Sequence, residues 1–201
     1  MSSPNLLRLF LRSWRLIAVS AGAGLVLAVA FSLVQTLKYS STVRLLITQT
    51  NVTGLDPYTA VKSTERIAQN LSEVIYTSSF FNAVISDGQI DAGYFSSDEI
   101  TKRREWRETI TTAVSPGTGV MTVVAFHPLR AQATALAVRV AQEIASQAPN
   151  YFGYSVRVQI IDDPLPSRFF AKPDFVTNGL FGAMIGFLAA SAWALGKTRE
   201  S

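Results

Sequence analysis

Two stretches of this chain run for 22 residues without a charge, and they govern how the rest can be read. The first covers 16–37, between Arg15 and Lys38; the second covers 175–196, between Asp174 and Lys197. At about 1.5 Å of rise per residue each run, as a helix, reaches about 33 Å, close to the hydrocarbon thickness of a bilayer. Both are expected to be transmembrane helices, with the 137 residues 38–174 between them on one side of the membrane.

The charge map points the same way. The formal net charge is +4. Residues 38–174 hold 13 basic and 13 acidic side chains and contribute nothing to it. The excess sits on the tail 1–15, through Arg8, Arg12 and Arg15, and on the tail 197–201, through Lys197, Arg199 and Glu200. Basic residues stay on the cytoplasmic side, so both termini are expected there and the middle segment outside it. Trp14 and Trp193 fall at the inferred cytoplasmic edge, where an indole favours the interface. The basic pI of about 9.6 thus reflects topology, and no basic stripe with interleaved aromatics suggests nucleic-acid binding. A cleaved signal peptide is the rival reading of the first run, since Ala28-Val29-Ala30 matches an A-x-A site, but the apolar run continues past it through Leu37. The chain has no cysteine, which excludes disulfides and thiolate metal sites.

Between the runs the pattern alternates between strand and helix. Val43, Leu45 and Ile47 step by two and predict a strand. Asp56-Pro57 reads as a cap and first helical position, opening one long helix over 57–86 along Thr64, Ile67, Leu71, Val74, Ser78, Phe81 and Ile85. That seam is expected to pack on the domain's own sheet before it reaches any neighbour. Ser96 and Glu99 fit a capping box for a short helix. Its Lys102, Arg103, Arg104 and Arg107 read as a solvated face offset by Glu99, Glu105 and Glu108, in preference to a polyanion site. Two strands about the turn Pro116-Gly117-Thr118-Gly119, a helix over 128–148 and a last strand carrying Val156, Val158 and Ile160 complete the set. The expected architecture is an extracytoplasmic α/β domain, 38–163, with a mixed sheet and one long helix, flanked by two transmembrane helices. A connector over 164–174, stiffened by Pro164, Pro166 and Pro173, leads into the second of these. Phe169, Phe170 and Phe175 on and after it are candidates for the membrane interface.

A search for chemistry returns little. His127 is the single histidine, so a multi-histidine metal site is excluded, and it reads more simply as the residue before Pro128 than as part of a Ser-His-Asp triad. Asp162 and Asp163 are adjacent strand residues and point to opposite faces. Gly196-Lys197-Thr198 lacks the earlier glycine of a phosphate-binding loop, Ser191 standing in its place. The acceptor triplets at Asn51 and Asn70 are discounted as chance matches. No catalytic residue, cofactor or metal is expected.

The runs themselves carry a more specific signal. Ser20, Gly24, Ala28 and Ser32 recur every four residues in the first, and Gly182, Gly186, Ala190 and Ala194 in the second. Small residues on one face let helix backbones approach closely in lipid. The partner of each stripe, within the chain or in a neighbouring copy, stays open.

Order and spacing resemble a known family. "YSSTVRLLIT" follows the first run, "AVKSTERIAQNLSEVIYTSSFFNAVI" forms the long helix, and "VSPGTGVMTVVAFHPLRAQATALAVRVAQEIA" gives a strand and an alanine-rich helix. "IIDDPLPSRFFAKPDF" then leads into "GLFGAMIG". Together these resemble the Wzz-type chain-length determinants, or polysaccharide co-polymerases, in a compact form. The resemblance implies a non-enzymatic homo-oligomer that regulates chain length or export of a surface polysaccharide such as O-antigen, capsule or exopolysaccharide. Its implied partners are the lipid bilayer and a polysaccharide polymerase or export proteins. The alternative it implies is a transmembrane adaptor that activates a separate cytoplasmic tyrosine kinase; no kinase is expected to be fused after 197–201.

Overall fold

The structure is a computed structural model that describes residues 6–50, 56–86, 88–153 and 155–197, with side chains described from Ser13 onward. The Asn51-Val52-Thr53 triplet, Thr198 and the outer parts of both tails lie outside the described residues. The chain divides into two units: residues 38–171, and the terminal segments 1–37 and 172–201.

The 38–171 unit is a four-stranded sheet with helices packed on one face. Its strands are β1 (Tyr39–Gln49), β2 (Ile110–Val114), β3 (Val120–His127) and β4 (Val156–Pro166), ordered β2-β3-β1-β4. All three pairings are antiparallel, so the mixed sheet expected from the sequence is corrected to a purely antiparallel one. β1 bears the alternation anticipated for it: Val43, Leu45 and Ile47 are buried, and on β3 Met121, Val123 and Ala125 join them on the same face. Helix α5 (Arg130–Phe152) covers this face with Leu136, Ala137, Val140, Ala141 and Ile144, and α2 (Pro57–Val74) adds Ala68 and Leu71. The alanines bring the α5 backbone close to the sheet, leaving larger β residues to fill the core. Glycine is required at Gly119, where a Cβ would collide with the Ile47 carbonyl; the Ile47 N–H donates to the Gly119 carbonyl at 2.8 Å.

The long helix expected over 57–86 is two helices. α2 ends at Val74, and α3 (Ser78–Ile85) begins after a turn. The break falls on Thr77-Ser78-Ser79, whose hydroxyls compete for backbone groups that a helix would use. The Thr77 hydroxyl donates to the Val74 carbonyl at 2.7 Å and accepts from the Phe80 N–H at 3.4 Å, capping α3. The buried line consequently shifts to Ala68, Leu71 and Ile75, then Phe80, Phe81 and Val84. Asp56 does cap α2, accepting from the Tyr58 and Thr59 N–H groups at 3.1 Å, with Pro57 at the first helical position. In α4 (Glu99–Thr109) the cap is Asp98, which accepts from the Thr101 N–H at 2.9 Å, in place of Ser96. Glu99 instead pairs with Lys102 and Arg103 and accepts from the Ser78 hydroxyl, and these donors hold its pKa down to about 2.

The proline segment also departs from expectation. β4 runs on through Pro164 and Pro166, so the first part of the connector is strand. Prolines are tolerated there because β4 lies at the sheet edge, and Pro164 falls in a register shift between the Thr42–Leu165 and Arg44–Asp162 pairs. A second shift lies between the Arg44–Asp162 and Leu45–Ile160 pairs; Ile160, beside it, is exposed, and Val156, at the start of the strand, is buried. The Ser167 N–H donates to the Ser40 carbonyl at 2.7 Å and the Ala171 N–H to the Lys38 carbonyl at 2.8 Å. The chain therefore enters and leaves this unit at hydrogen-bonded neighbours. The peptide before Pro173 is cis.

The terminal unit contains α1 (Leu6–Val34) and α6 (Phe175–Lys197). Both contain 22-residue segments, Ser13–Val34 and Phe175–Gly196, long and apolar enough to cross a membrane.

Trp106 on α4 anchors the core of the larger unit. It is 1% exposed, packs edge-on against Phe81 at 5.1 Å and Phe95 at 5.8 Å, and donates its indole N–H to the Ile75 carbonyl at 2.7 Å. Trp106→Phe, which strands that carbonyl, should cost about 1–3 kcal/mol, and Trp106→Ala about 3–5 kcal/mol. Thermal unfolding of the detergent-solubilised chain followed by circular dichroism measures both. Losses under about 0.5 kcal/mol for both variants would contradict this placement of the indole.

Candidate functional site

Among the sequence features singled out, the small-residue stripes form the most sharply defined arrangement. The structure places them against each other within one chain, as an antiparallel pair. A Cβ at Gly24 would collide with the Gly182 carbonyl, one at Gly182 with the Gly24 carbonyl and the Ala28 methyl, and one at Gly186 with the Ser20 carbonyl. The three glycines are thus required by backbone-to-backbone approach. Gly179, one turn before Gly182, would place a Cβ at an ordinary 3.5 Å from Val29 and has room for a methyl group. Ala190 and Ala194 continue the α6 stripe and are buried, as is Ile17 of α1.

Ser32 closes the stripe at the far end of α1, and its role goes beyond size. It is 1% exposed, and its hydroxyl donates to the Ala28 carbonyl at 2.9 Å while accepting from the Asn178 side-chain amide at 2.8 Å. Asn178 is the residue that sequence reading missed. The signal was present: Asn178 lies four residues before Gly182 and extends the α6 stripe by one turn, and a polar amide in an apolar span demands a partner. Such an inter-helix bond contributes about 0.6 kcal/mol on average and up to about 1.7 kcal/mol. Asp174 caps the same helix end, accepting from the Val176 and Thr177 N–H groups at 3.1 and 3.0 Å.

The surface of the pair is the inverse of the seam. Val19, Val26, Leu27 and Phe31 of α1, and Val176, Leu180, Ile185 and Leu188 of α6, are exposed. Small residues inside and large apolar residues outside is the distribution that suits lipid as solvent; in water the large residues would be the buried ones.

The titratable groups weighed in the sequence lie in the larger unit and do not converge. His127 is buried at the end of β3, with its ring 4.4 Å from that of Tyr94 and its Nδ1 accepting from the Leu129 N–H at 3.0 Å. Burial pushes its pKa below the ordinary value of 6.5, so it is a neutral acceptor that fixes the start of α5. Asp162 and Asp163 are exposed, with Asp162 opposite Arg44 across the β1–β4 pair. Arg103 pairs with Glu99, and the Arg107 guanidinium lies 5.7 Å from the centre of the Tyr76 ring, so this basic face is partly engaged by its own neighbours. Glu65 is held below the ordinary carboxylate range by Lys62 at 3.1 Å and by the Gly117 N–H at 3.3 Å, which ties α2 to the β2–β3 turn. Among the described residues no group of three or more histidine, aspartate or glutamate side chains is placed to hold a metal ion.

No protein-family model matches the chain, and no curated protein matches it in sequence.

With no native cysteine, the seam can be read by cross-linking. Val29→Cys with Gly179→Cys should form a disulfide within one chain, and adding Gly182→Leu should remove most of it. Mass spectrometry of the non-reduced, protease-cleaved protein separates bonds within a chain from those between chains. Predominant cross-links between copies, or a yield unmoved by Gly182→Leu, would contradict the seam.

Proposed function

We propose that this chain is a membrane-anchored scaffold that assembles with copies of itself and regulates the chain length or export of a surface polysaccharide. Both termini are cytoplasmic in this reading, and the 38–171 unit stands on the other side of the membrane. The observation that carries it is the arrangement of one α/β unit between two apolar helices, with its first and last strands adjacent in the sheet. Because β1 and β4 pair directly, the unit is attached at two neighbouring points. Two short attachments restrict tumbling far more than one flexible linker does. A unit so held can present a fixed surface to a growing polymer and to the polymerase that makes it.

The order of elements along the chain gives the reading its content. The resemblance of "YSSTVRLLIT", the proline-led "IIDDPLPSRFFAKPDF" and the glycine-bearing "GLFGAMIG" to the chain-length determinants supplies the substrate class and the partners. The scaffold acts by position, without making or breaking glycosidic bonds: assembled copies hold the polymerase and the nascent chain in register, and the geometry of the assembly limits how long the polymer stays engaged.

Deletion of the gene should broaden or shift the length distribution of the cell's surface polysaccharide, seen by gel electrophoresis of the extracted polymer, and the intact gene should restore it. An unchanged length profile and unchanged yield would reject the proposal.

A further inference from the structure

We infer that the loop Arg168-Phe169-Phe170 is a membrane-interface foot, with the Phe169 ring seated among the lipid headgroups of the leaflet facing the 38–171 unit. The inference rests on the reading of α1 and α6 as membrane spans and adds a second, peripheral lipid contact to it.

Three observations carry it. First, Phe169 is 83% exposed, and Phe170 and Leu165 on the same stretch are exposed as well. A cluster of large apolar side chains left in water within six residues of chain marks a surface that meets something apolar. Second, the loop is rigidly presented. The Ser167 N–H to Ser40 carbonyl bond holds one side, and the Ala171 N–H to Lys38 carbonyl bond the other. Phe170 packs on Tyr39 with ring centroids 4.5 Å apart, leaving Phe169 as the outward tip. Third, chain length restricts where the tip can be. Ala171 is followed within four residues by Phe175, where α6 begins, so the fully extended link from Phe169 to that helix start reaches at most about 21 Å. On the other side only three residues, 35–37, separate Val34 of α1 from Lys38. Both tethers reach the sheet at the paired ends of β1 and β4 that carry the loop. An aromatic ring held there lies within reach of the interfacial layer, the zone that aromatic side chains favour at the ends of membrane spans.

A second copy of the chain or a partner protein could also cover an apolar tip, and the test separates these. A single cysteine replacing Arg168 keeps Phe169 intact and can carry an environment-sensitive fluorophore. The full chain is reconstituted in phosphatidylcholine nanodiscs and exposed in parallel to a lipid bearing a shallow nitroxide and to aqueous iodide. Val26→Cys, on the outer surface of α1, reports whether the span is in lipid, and Thr118→Cys, in the β2–β3 turn at the far end of β3, reports the aqueous baseline. The expected result is lipid quenching at 168 at least about twofold above that at 118, lost when Phe169→Asp is added. Quenching at 168 by iodide alone, with 26 quenched by lipid, would overturn the foot and leave the spans standing. Protection at 168 from both quenchers would overturn it in favour of a protein neighbour. Failure of lipid quenching at 26 would overturn the spans, and the foot with them.

Discussion

The close approach of two helix backbones at Gly24, Gly182 and Gly186 is the contact on which the proposed architecture depends. A pair of apolar helices in lipid gains nothing from excluding water, so packing and a few hydrogen bonds must hold it together. The seam provides both: carbonyl groups lie where side chains would otherwise stand, and Asn178 and Ser32 pair at one end. With the small residues turned inward, the large apolar ones face out. The hairpin returns the chain across the lipid, if α1 and α6 span it, and so would place both termini on one side.

That return has a counterpart in the other unit. The strand that brings the chain in and the strand that takes it out are paired along most of their length, and the pairing survives two register shifts and two prolines because β4 is an edge strand. Adjacent attachment points suit adjacent helices. Each unit thus has its own reason for keeping the two ends of the sheet domain together, one from backbone ladder bonds and the other from packing of small residues. The proposed interfacial loop would lie at the end of the β1–β4 pair where the chain enters and leaves this unit.

Much of the fold was legible because its signals are local. The alternation in β1, the Asp56-Pro57 helix start and the uncharged runs follow directly from side-chain period and charge. The misreadings come from competition that periodicity does not register. Apolar residues continue at helical spacing across Thr77-Ser78-Ser79, yet the hydroxyl bond from Thr77 to Val74 ends one helix and starts another. The cap is expected at Ser96, but in the fold Asp98, two residues on, accepts from the Thr101 N–H. Prolines that read as a break in strand structure are tolerated at an edge, and edge position is a property of the whole sheet. In the candidate site the eight small residues stood out by spacing. Asn178 lies on the same stripe without being small, and in an apolar environment its amide is itself the signal for a partner, here the Ser32 hydroxyl.

The account stands most directly on the disposition of the chain across a bilayer, and single-cysteine labelling in intact spheroplasts measures it. Cysteine placed at Thr118 should react with a membrane-impermeant maleimide added outside, while cysteine placed at Ser2 or Ser201 should react only after lysis. Labelling of either terminus in intact spheroplasts, or recovery of the protein in the soluble fraction without detergent, would contradict a hairpin that crosses the lipid twice.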